Sequence, residues 1–372
     1  MHPFMTQALA LAQQSLTLSA PNPHVGCVIA SADGQLLGQG FTQHAGGAHA
    51  EIMALRDAQA QGRSVLGATA YVTLEPCSHQ GRTGPCCDAL IQAGIAKVVA
   101  SIADPNPRVA GQGFDRLRAA GITLEIGPGA DVSRELNIGF FSRMIRQRPW
   151  VRLKIAASLD GKTALVNGAS QWITGEAARA DGHAWRARAC AVLTGIGTVL
   201  HDNPQLDVRL VATERQPHLV VLDSTLRTPL DAKLFQTKRK LLQTTRKLLV
   251  YTASGDEGKV AALQERGAQI IVLPDGNGKV DLAALLHDLA RCEINDLHVE
   301  AGQQLNGALI GANLVDEFIV YLAPKLIGQG AEMARFGPLD ELSAATKLEF
   351  KSIEKIGADL RIVARVTGHD AF

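Results

Sequence analysis

Residues 49–51 read His-Ala-Glu, and residues 75–86 read Glu-Pro-Cys-Ser-His-Gln-Gly-Arg-Thr-Gly-Pro-Cys. A catalytic zinc takes three protein ligands of the nitrogen or sulfur type and keeps a fourth position open. His49, Cys77 and Cys86 supply that count. Glu51 is left over as an unligated carboxylate that can carry protons. A purely structural zinc site is the rival reading. It would need a fourth protein ligand, for which His44 and His79 are the available side chains.

These groups need elements that bring them together. Cys86 follows Pro85, an arrangement that opens a helix and places the thiolate at the positive end of its dipole. Cys77 falls in the turn after an apolar run, Ala70–Leu74, at the carboxyl end of a strand, where α/β sheets hold their ligands. His49 and Glu51 sit in the first turn of a helix predicted over Ala50–Ala60. Successive helical residues point about 100° apart, so only one of Cys86 and Cys87 can face the metal, and the Pro-Cys order favours Cys86. Cys27, Cys190 and Cys292 read as small packing residues.

The wider pattern is an alternating α/β fold. In the first part of the chain, strands are predicted at Val25–Ala30, Ala70–Leu74, Lys97–Ile102 and Ile122–Ile126. Helices are predicted at Ala50–Ala60, Cys86–Ala93, Gly111–Ala120 and Arg134–Ile145. Arg148-Pro149-Trp150 marks a new unit, giving domains 1–146 and 147–372. The second unit repeats the alternation, with strands beginning at Val151, Ala191, Leu219, Leu248, Ile270, Leu297 and Glu317. Its C-terminal hairpin around Gly357 makes the sheet mixed. Residues 237–250 contain a near-duplicate heptad, read as an enlarged surface loop.

Composition narrows the class. The 372 residues carry 37 basic and 36 acidic side chains, a net charge of +1, which argues against a nucleic-acid partner. No apolar run reaches membrane-spanning length, and the first twenty residues lack a leader pattern, so a cytosolic enzyme is expected. Six unevenly spaced cysteines suit metal binding or burial better than a disulfide framework.

A His-x-Glu followed by a Pro-Cys pair is the pattern of zinc base deaminases, but here eight residues separate the cysteines instead of two. Further motifs are Asn22-Pro-x-Val-Gly, His44-x4-His-Ala-Glu and Asp104-Pro-Asn-Pro. Downstream come Lys154-x-Ala-x-Ser-Leu-Asp-Gly-Lys, Ser170-x-Trp-Ile-Thr-Gly, Asp202-Asn-Pro-x-Leu-x-Val-Arg209 and Val299-Glu-Ala-Gly302. Together, over nearly the whole chain, these resemble the bifunctional deaminase/reductase family of riboflavin biosynthesis. The resemblance implies a cytidine-deaminase-like, three-layer α/β N-terminal domain and a dihydrofolate-reductase-like C-terminal domain. It also implies a zinc-dependent deamination of 2,5-diamino-6-(5-phosphoribosylamino)pyrimidin-4(3H)-one and then an NADPH-dependent reduction of its ribosyl chain to ribityl.

The same resemblance assigns residues. Asn22, His44 and His79 become candidates for the pyrimidine. Ala156, Trp172, Thr198 and Asp202 fall on the nicotinamide nucleotide, and Ser170, Arg186, Leu206, Arg209 and Glu300 on the substrate, with Lys154 near the sugar. Two guanidiniums suit a dianionic phosphate, although each could be an ordinary surface charge. No dinucleotide fingerprint is present, since Gly195-Ile-Gly197 is too short. The cofactor is instead expected at Gly302, Gln303, Gln304, Leu305, Asn306, Gly307 and Ala308, where a helix start offers main-chain N–H groups to a pyrophosphate. A homodimer is the default assembly. Other nucleobase or tRNA deaminases with an appended domain, and a non-catalytic zinc-stabilised binding protein, are the competing readings.

Overall fold

A computed structural model describes residues 1–79, 84–107, 109–236 and 246–372. The chain divides into two compact units, Met1–Gln147 and Arg148–Phe372.

The first unit runs α1 (Pro3–Gln14), β1 (Gly26–Ala30), β2 (Leu36–Phe41), α2 (Ala50–Ala60), β3 (Thr69–Val72), α3 (Cys86–Gln92), β4 (Lys97–Ala100), α4 (Gln112–Ala119), β5 (Thr123–Ile126), α5 (Ala130–Leu136) and α6 (Ile138–Arg146). Its sheet has the order β2-β1-β3-β4-β5. The β1–β2 and β1–β3 pairs are antiparallel, and β3–β4 and β4–β5 are parallel. Every residue of β1 is buried, as expected of a central strand covered on both faces.

Strand β2 was not expected, because its Gly38 and Gly40 weaken a strand signal. Both glycines serve helix packing. A Cβ on Gly38 would lie 2.2 Å from the Ala54 carbonyl oxygen, and one on Gly40 would lie 2.4 Å from the Met53 Cβ. Helix α2, which carries Glu51, can therefore press directly onto β2. The helix expected over Arg134–Ile145 is two helices. Asn137 interrupts it: its amide accepts from the His24 N–H at 2.6 Å and donates to the His24 and Ser133 carbonyls.

The second unit contains β6 (Trp150–Ser158), β7 (Lys162–Leu165), α7 (Glu176–Arg188), β8 (Ala191–Gly195), α8 (Ile196–Asp202), β9 (His218–Leu222), β10 (Leu248–Thr252), α9 (Glu257–Glu265) and β11 (Ala268–Val272). These are followed by α10 (Leu282–Arg291), β12 (Asp296–Val299), α11 (Gln303–Gly311), β13 (Glu317–Ala323), β14 (Gly330–Glu332), β15 (Leu348–Ile356) and β16 (Asp359–Val366). Nine strands form one sheet in the order β11-β10-β9-β8-β12-β6-β13-β16-β15, parallel as far as β13 and antiparallel through the C-terminal hairpin. The mixed sheet matches the expectation. The core beneath β8, β9 and β10 is aliphatic, with Val192, Leu219, Val221 and Val250 packed on Leu226 and Leu263.

One expectation needs adjustment. Cys27 and Cys190 are buried, but Cys292 is exposed, because it follows α10 at the helix end and not on its packed face. Residues 237–245 of the duplicated heptad lie outside the described residues.

Candidate functional site

In the first unit, three elements deliver the metal-ligand candidates. His49 is the N-cap residue of α2, Cys77 lies beyond the carboxyl end of β3, and Cys86 is the first residue of α3. Their donor atoms all lie within 4.8 Å of one another. His49 Nδ1 is 3.6 Å from Cys77 Sγ and 3.2 Å from Cys86 Sγ, and the Cys86 N–H points at Cys77 Sγ at 3.4 Å. Bonds of about 2.3 Å to sulfur and 2.0 Å to nitrogen in a tetrahedron place such donors about 3.5–3.8 Å apart. The set therefore fits zinc with one position left over.

Electrostatics agree with that donor set. The hydrogen bond with Cys86 pulls the Cys77 thiol down to about 4, while Cys86 is pushed well above the usual thiol range by the same contact and by burial. Two thiols this close hold one proton between them, and a cation is what lets both ionise. Glu51, 4% exposed, is pushed up to about 6, first by burial and then by the Cys77 charge. The neighbouring Cys86 offsets part of that rise. A carboxyl poised there can accept and return a proton near neutral pH. Cys87 turns away, its thiol donating to the Pro76 carbonyl at 3.1 Å.

Two acidic residues, Glu75 and Asp104, fall inside the quoted motifs, but the sequence gives neither of them a role. The buried Glu75 accepts four main-chain N–H groups, from Asp104, Gly111, Gly113 and Phe114, at 2.9–3.3 Å. This fixes the segment after β4 against the Cys77 turn. Asp104 is buried in that segment, and desolvation pushes its carboxyl up to about 7. Of the pyrimidine candidates, Asn22 and His44 are half-buried in loops before β1 and α2. His79 follows Cys77 and has a buried Nδ1 with no partner among the described residues.

In the second unit a cleft of about 2080 Å³ opens at the carboxyl ends of the parallel strands. It collects Lys154, Ala156, Ser170, Trp172, Arg186, Thr198, Asp202, Leu206, Arg209 and Glu300, together with Gly302, Gln303, Gln304, Leu305, Asn306 and Ala308. Gly307 is not on its wall: a Cβ there would lie 1.8 Å from the Arg335 carbonyl oxygen, so this glycine serves packing. Gly302 caps α11 with extended backbone and no side-chain cap, which leaves main-chain N–H groups directed outward. The side chains of Gln303 and Asn306 are committed elsewhere, to the Glu332 N–H and the Met333 carbonyl.

Lys154 and Ala156 lie two apart on β6 and so share a face. Burial depresses the Lys154 ammonium, which stands 5.9 Å over the Tyr321 ring and near Glu300. Glu300 follows β12, and Arg186 holds it in a two-bond pair at 2.7 and 2.9 Å. Arg209 pairs with Asp207 at 2.8 Å and keeps 42% of its side chain exposed. Trp172 is exposed, with the Arg179 guanidinium 4.5 Å from its ring centroid.

Residues 1–102 match the cytidine and deoxycytidylate deaminase zinc-binding region, and residues 149–362 match the RibD C-terminal domain. The riboflavin biosynthesis protein RibD of Escherichia coli is 43% identical over 96% of this chain and 97% of its own length. The Haemophilus influenzae protein is 41% identical over 96% and 95%. Acinetobacter baumannii RibD superposes with a TM-score of 0.86 at 41% identity, covering 98% of each chain. A Thermotoga maritima diaminohydroxyphosphoribosylaminopyrimidine deaminase/5-amino-6-(5-phosphoribosylamino)uracil reductase gives 0.85 at 32% identity, covering 98% and 97%. With both halves matched in one chain and full-length relatives this similar, the protein belongs to the RibD family, bifunctional enzymes of riboflavin biosynthesis that join a zinc-binding deaminase to a reductase.

Proposed function

We propose that the first unit, residues 1–146, deaminates the diaminopyrimidine phosphoribosyl compound and that the second, 147–372, reduces the ribosyl chain of its product with NADPH. The observation that carries the first half is the three-donor set of His49, Cys77 and Cys86 with Glu51 buried beside it. Zinc held there supplies a Lewis acid that brings a water's pKa toward neutrality. Glu51 takes the proton as the water oxygen bonds to the amino-bearing carbon. It returns that proton to the nitrogen as the carbon–nitrogen bond breaks and ammonia leaves. Asn22, His44 and His79 hold the pyrimidine.

In the second unit NADPH supplies the hydride. Main-chain N–H groups of Gln303, Gln304 and Leu305 at the start of α11, with Gly302, Ala308, Ala156, Trp172, Thr198 and Asp202 around them, hold the dinucleotide. Ser170, Leu206, Arg209 and Glu300 hold the substrate, and Arg186 acts chiefly by fixing Glu300. Lys154, desolvated and beside Glu300, gives up a proton more readily than an exposed lysine, which supports it as the group that protonates the sugar.

A cytosolic setting fits the free cysteines, and no helix among the described residues is long and apolar enough to cross a membrane. A homodimer fits the edge strand β15, which exposes Leu348, Phe350 and Ile353. Glu51→Ala should retain about one zinc per chain yet stop ammonia release, while NADPH oxidation with the deaminated compound continues. Loss of zinc in that variant would make Glu51 a structural residue and remove its proton-carrying role.

A further inference from the structure

Gln205, Leu206 and Arg209 line the second-unit cleft, in a segment, residues 205–209, that belongs to no helix or strand. Leu206, Asp207 and Val208 are buried, and Leu206 adopts a left-handed φ of 49°. Buried main chain outside regular structure must find partners for its polar groups elsewhere. Here side chains from separate parts of the unit supply them. Arg246 donates to the Gln205 carbonyl at 3.2 Å and to the Leu206 carbonyl, and its Nε donates to the Pro217 carbonyl at 2.7 Å. Arg186 Nη1 donates to the Asp207 carbonyl. The Gln216 amide accepts the Val208 N–H at 2.7 Å and donates to the Val208 carbonyl at 2.8 Å, the two bonds a neighbouring strand would make. His183 Nδ1 accepts the Arg209 N–H at 3.2 Å.

Of these four side chains only Arg186 reaches the cleft wall. We propose that His183, Gln216 and Arg246 are positioning residues of the reductase site, which set Leu206 and Arg209 toward the substrate by holding the carbonyls of Gln205, Leu206 and Val208 and the N–H groups of Val208 and Arg209. The inference rests on the reading that this segment contacts the phosphoribosyl compound. It also gives a use to the second copy of the duplicated heptad, since Arg246 is that copy's arginine and Leu248 and Leu249 begin β10.

The test uses the full-length protein with Gln216→Met and Arg246→Met, which keep an unbranched side chain and remove its hydrogen-bonding groups, and the milder Gln216→Glu and Arg246→Lys. Reductase KM is measured separately for the deaminated phosphoribosyl substrate and for NADPH, with thermal unfolding of the same preparation as the check on folding. The expected result is a substrate KM raised about tenfold per lost pair of bonds, an NADPH KM changed less than about twofold, and Arg246→Lys milder than Arg246→Met. An unchanged substrate KM in Gln216→Met and Arg246→Met overturns the inference. So does a parallel loss in both KM values and kcat with a lowered melting temperature, which marks a merely structural role. Arg209→Ala separates the two readings. If it leaves substrate KM unchanged while Gln216→Met raises it, the Arg209 contact is wrong and positioning acts through Leu206.

Discussion

Arg186 and Glu300 form a two-bond pair, Nε to Oε1 at 2.7 Å and Nη2 to Oε2 at 2.9 Å, with the remaining Arg186 Nη1 on the Asp207 carbonyl. Burial alone would raise the Glu300 carboxyl, yet Arg186 holds it well below the usual range. The pair buries a carboxylate as an ion at the mouth of β12. Of the two guanidiniums the sequence offers to the substrate phosphate, Arg209 is the freer, and Arg186 is tied to the frame of the site.

The two arginines should therefore fail differently. Arg186→Ala strands a buried carboxylate and should cost about 3–5 kcal/mol of unfolding free energy, read by denaturant titration of the full-length protein. Arg209→Ala removes one bond to the Asp207 carboxylate from a half-exposed side chain, so it should cost less stability than Arg186→Ala, and it should raise the reductase KM for the phosphorylated substrate about 10- to 100-fold. Equal effects on stability would remove the distinction.

Metal removal should divide the activities. A chelator that extracts about one zinc per chain should abolish ammonia release and leave NADPH oxidation with the deaminated compound intact. Cys86→Ser should act the same way, because a hydroxyl is a poor zinc ligand beside His49 and Cys77. Retained deamination in the metal-free protein would contradict the site.

Glu75 is expected to be the least replaceable acid outside the metal cluster. Glu75→Ala leaves four main-chain N–H groups without their acceptor, at about 1–3 kcal/mol for each that stays buried, and should unfold the segment after β4. Glu75→Gln keeps one acceptor oxygen and should fold with reduced deamination. Reductase rates in the same preparations report whether the second unit is intact.

Much of the metal site could be read from the chain itself. His49, Glu51, Cys77 and Cys86 lie next to helix and strand boundaries that Pro85, the helical spacing of 50–60 and the apolar run before Cys77 make visible. Strand β2 was hidden because the close approach of α2 demands glycine where a strand signal wants a branched side chain. The roles of Glu75, Gln216 and Arg246 were hidden for another reason. Each acts on main-chain groups distant in sequence, and main-chain partners leave no residue-type pattern to read. Gly307 looked like part of a phosphate-binding turn, but its position is explained by the Arg335 carbonyl pressed against it.

His183 and His218 make the second unit sensitive to acid. Each is pulled down to about 4, chiefly by burial, and each accepts a main-chain N–H through Nδ1, from Arg209 and Lys247. In the unfolded chain both titrate near the ordinary value of about 6.5. The unfolded state thus binds more protons between these limits, so the stability they contribute is full above pH of about 6.5 and declines as pH falls toward about 4. Thermal unfolding of the full-length protein across that range should show the decline. The His183→Gln variant should show a shallower one, and an identical slope would exclude His183 as a source.

The central claim is that one chain performs both reactions in sequence, and mass spectrometry of the diaminopyrimidine phosphoribosyl compound tests it most directly. Incubation with the zinc-loaded protein alone should raise the substrate mass by about one unit, as NH is exchanged for O. Adding NADPH should raise it by about two more, as two hydrogens enter the ribosyl chain. A substrate unchanged under both conditions would contradict the account.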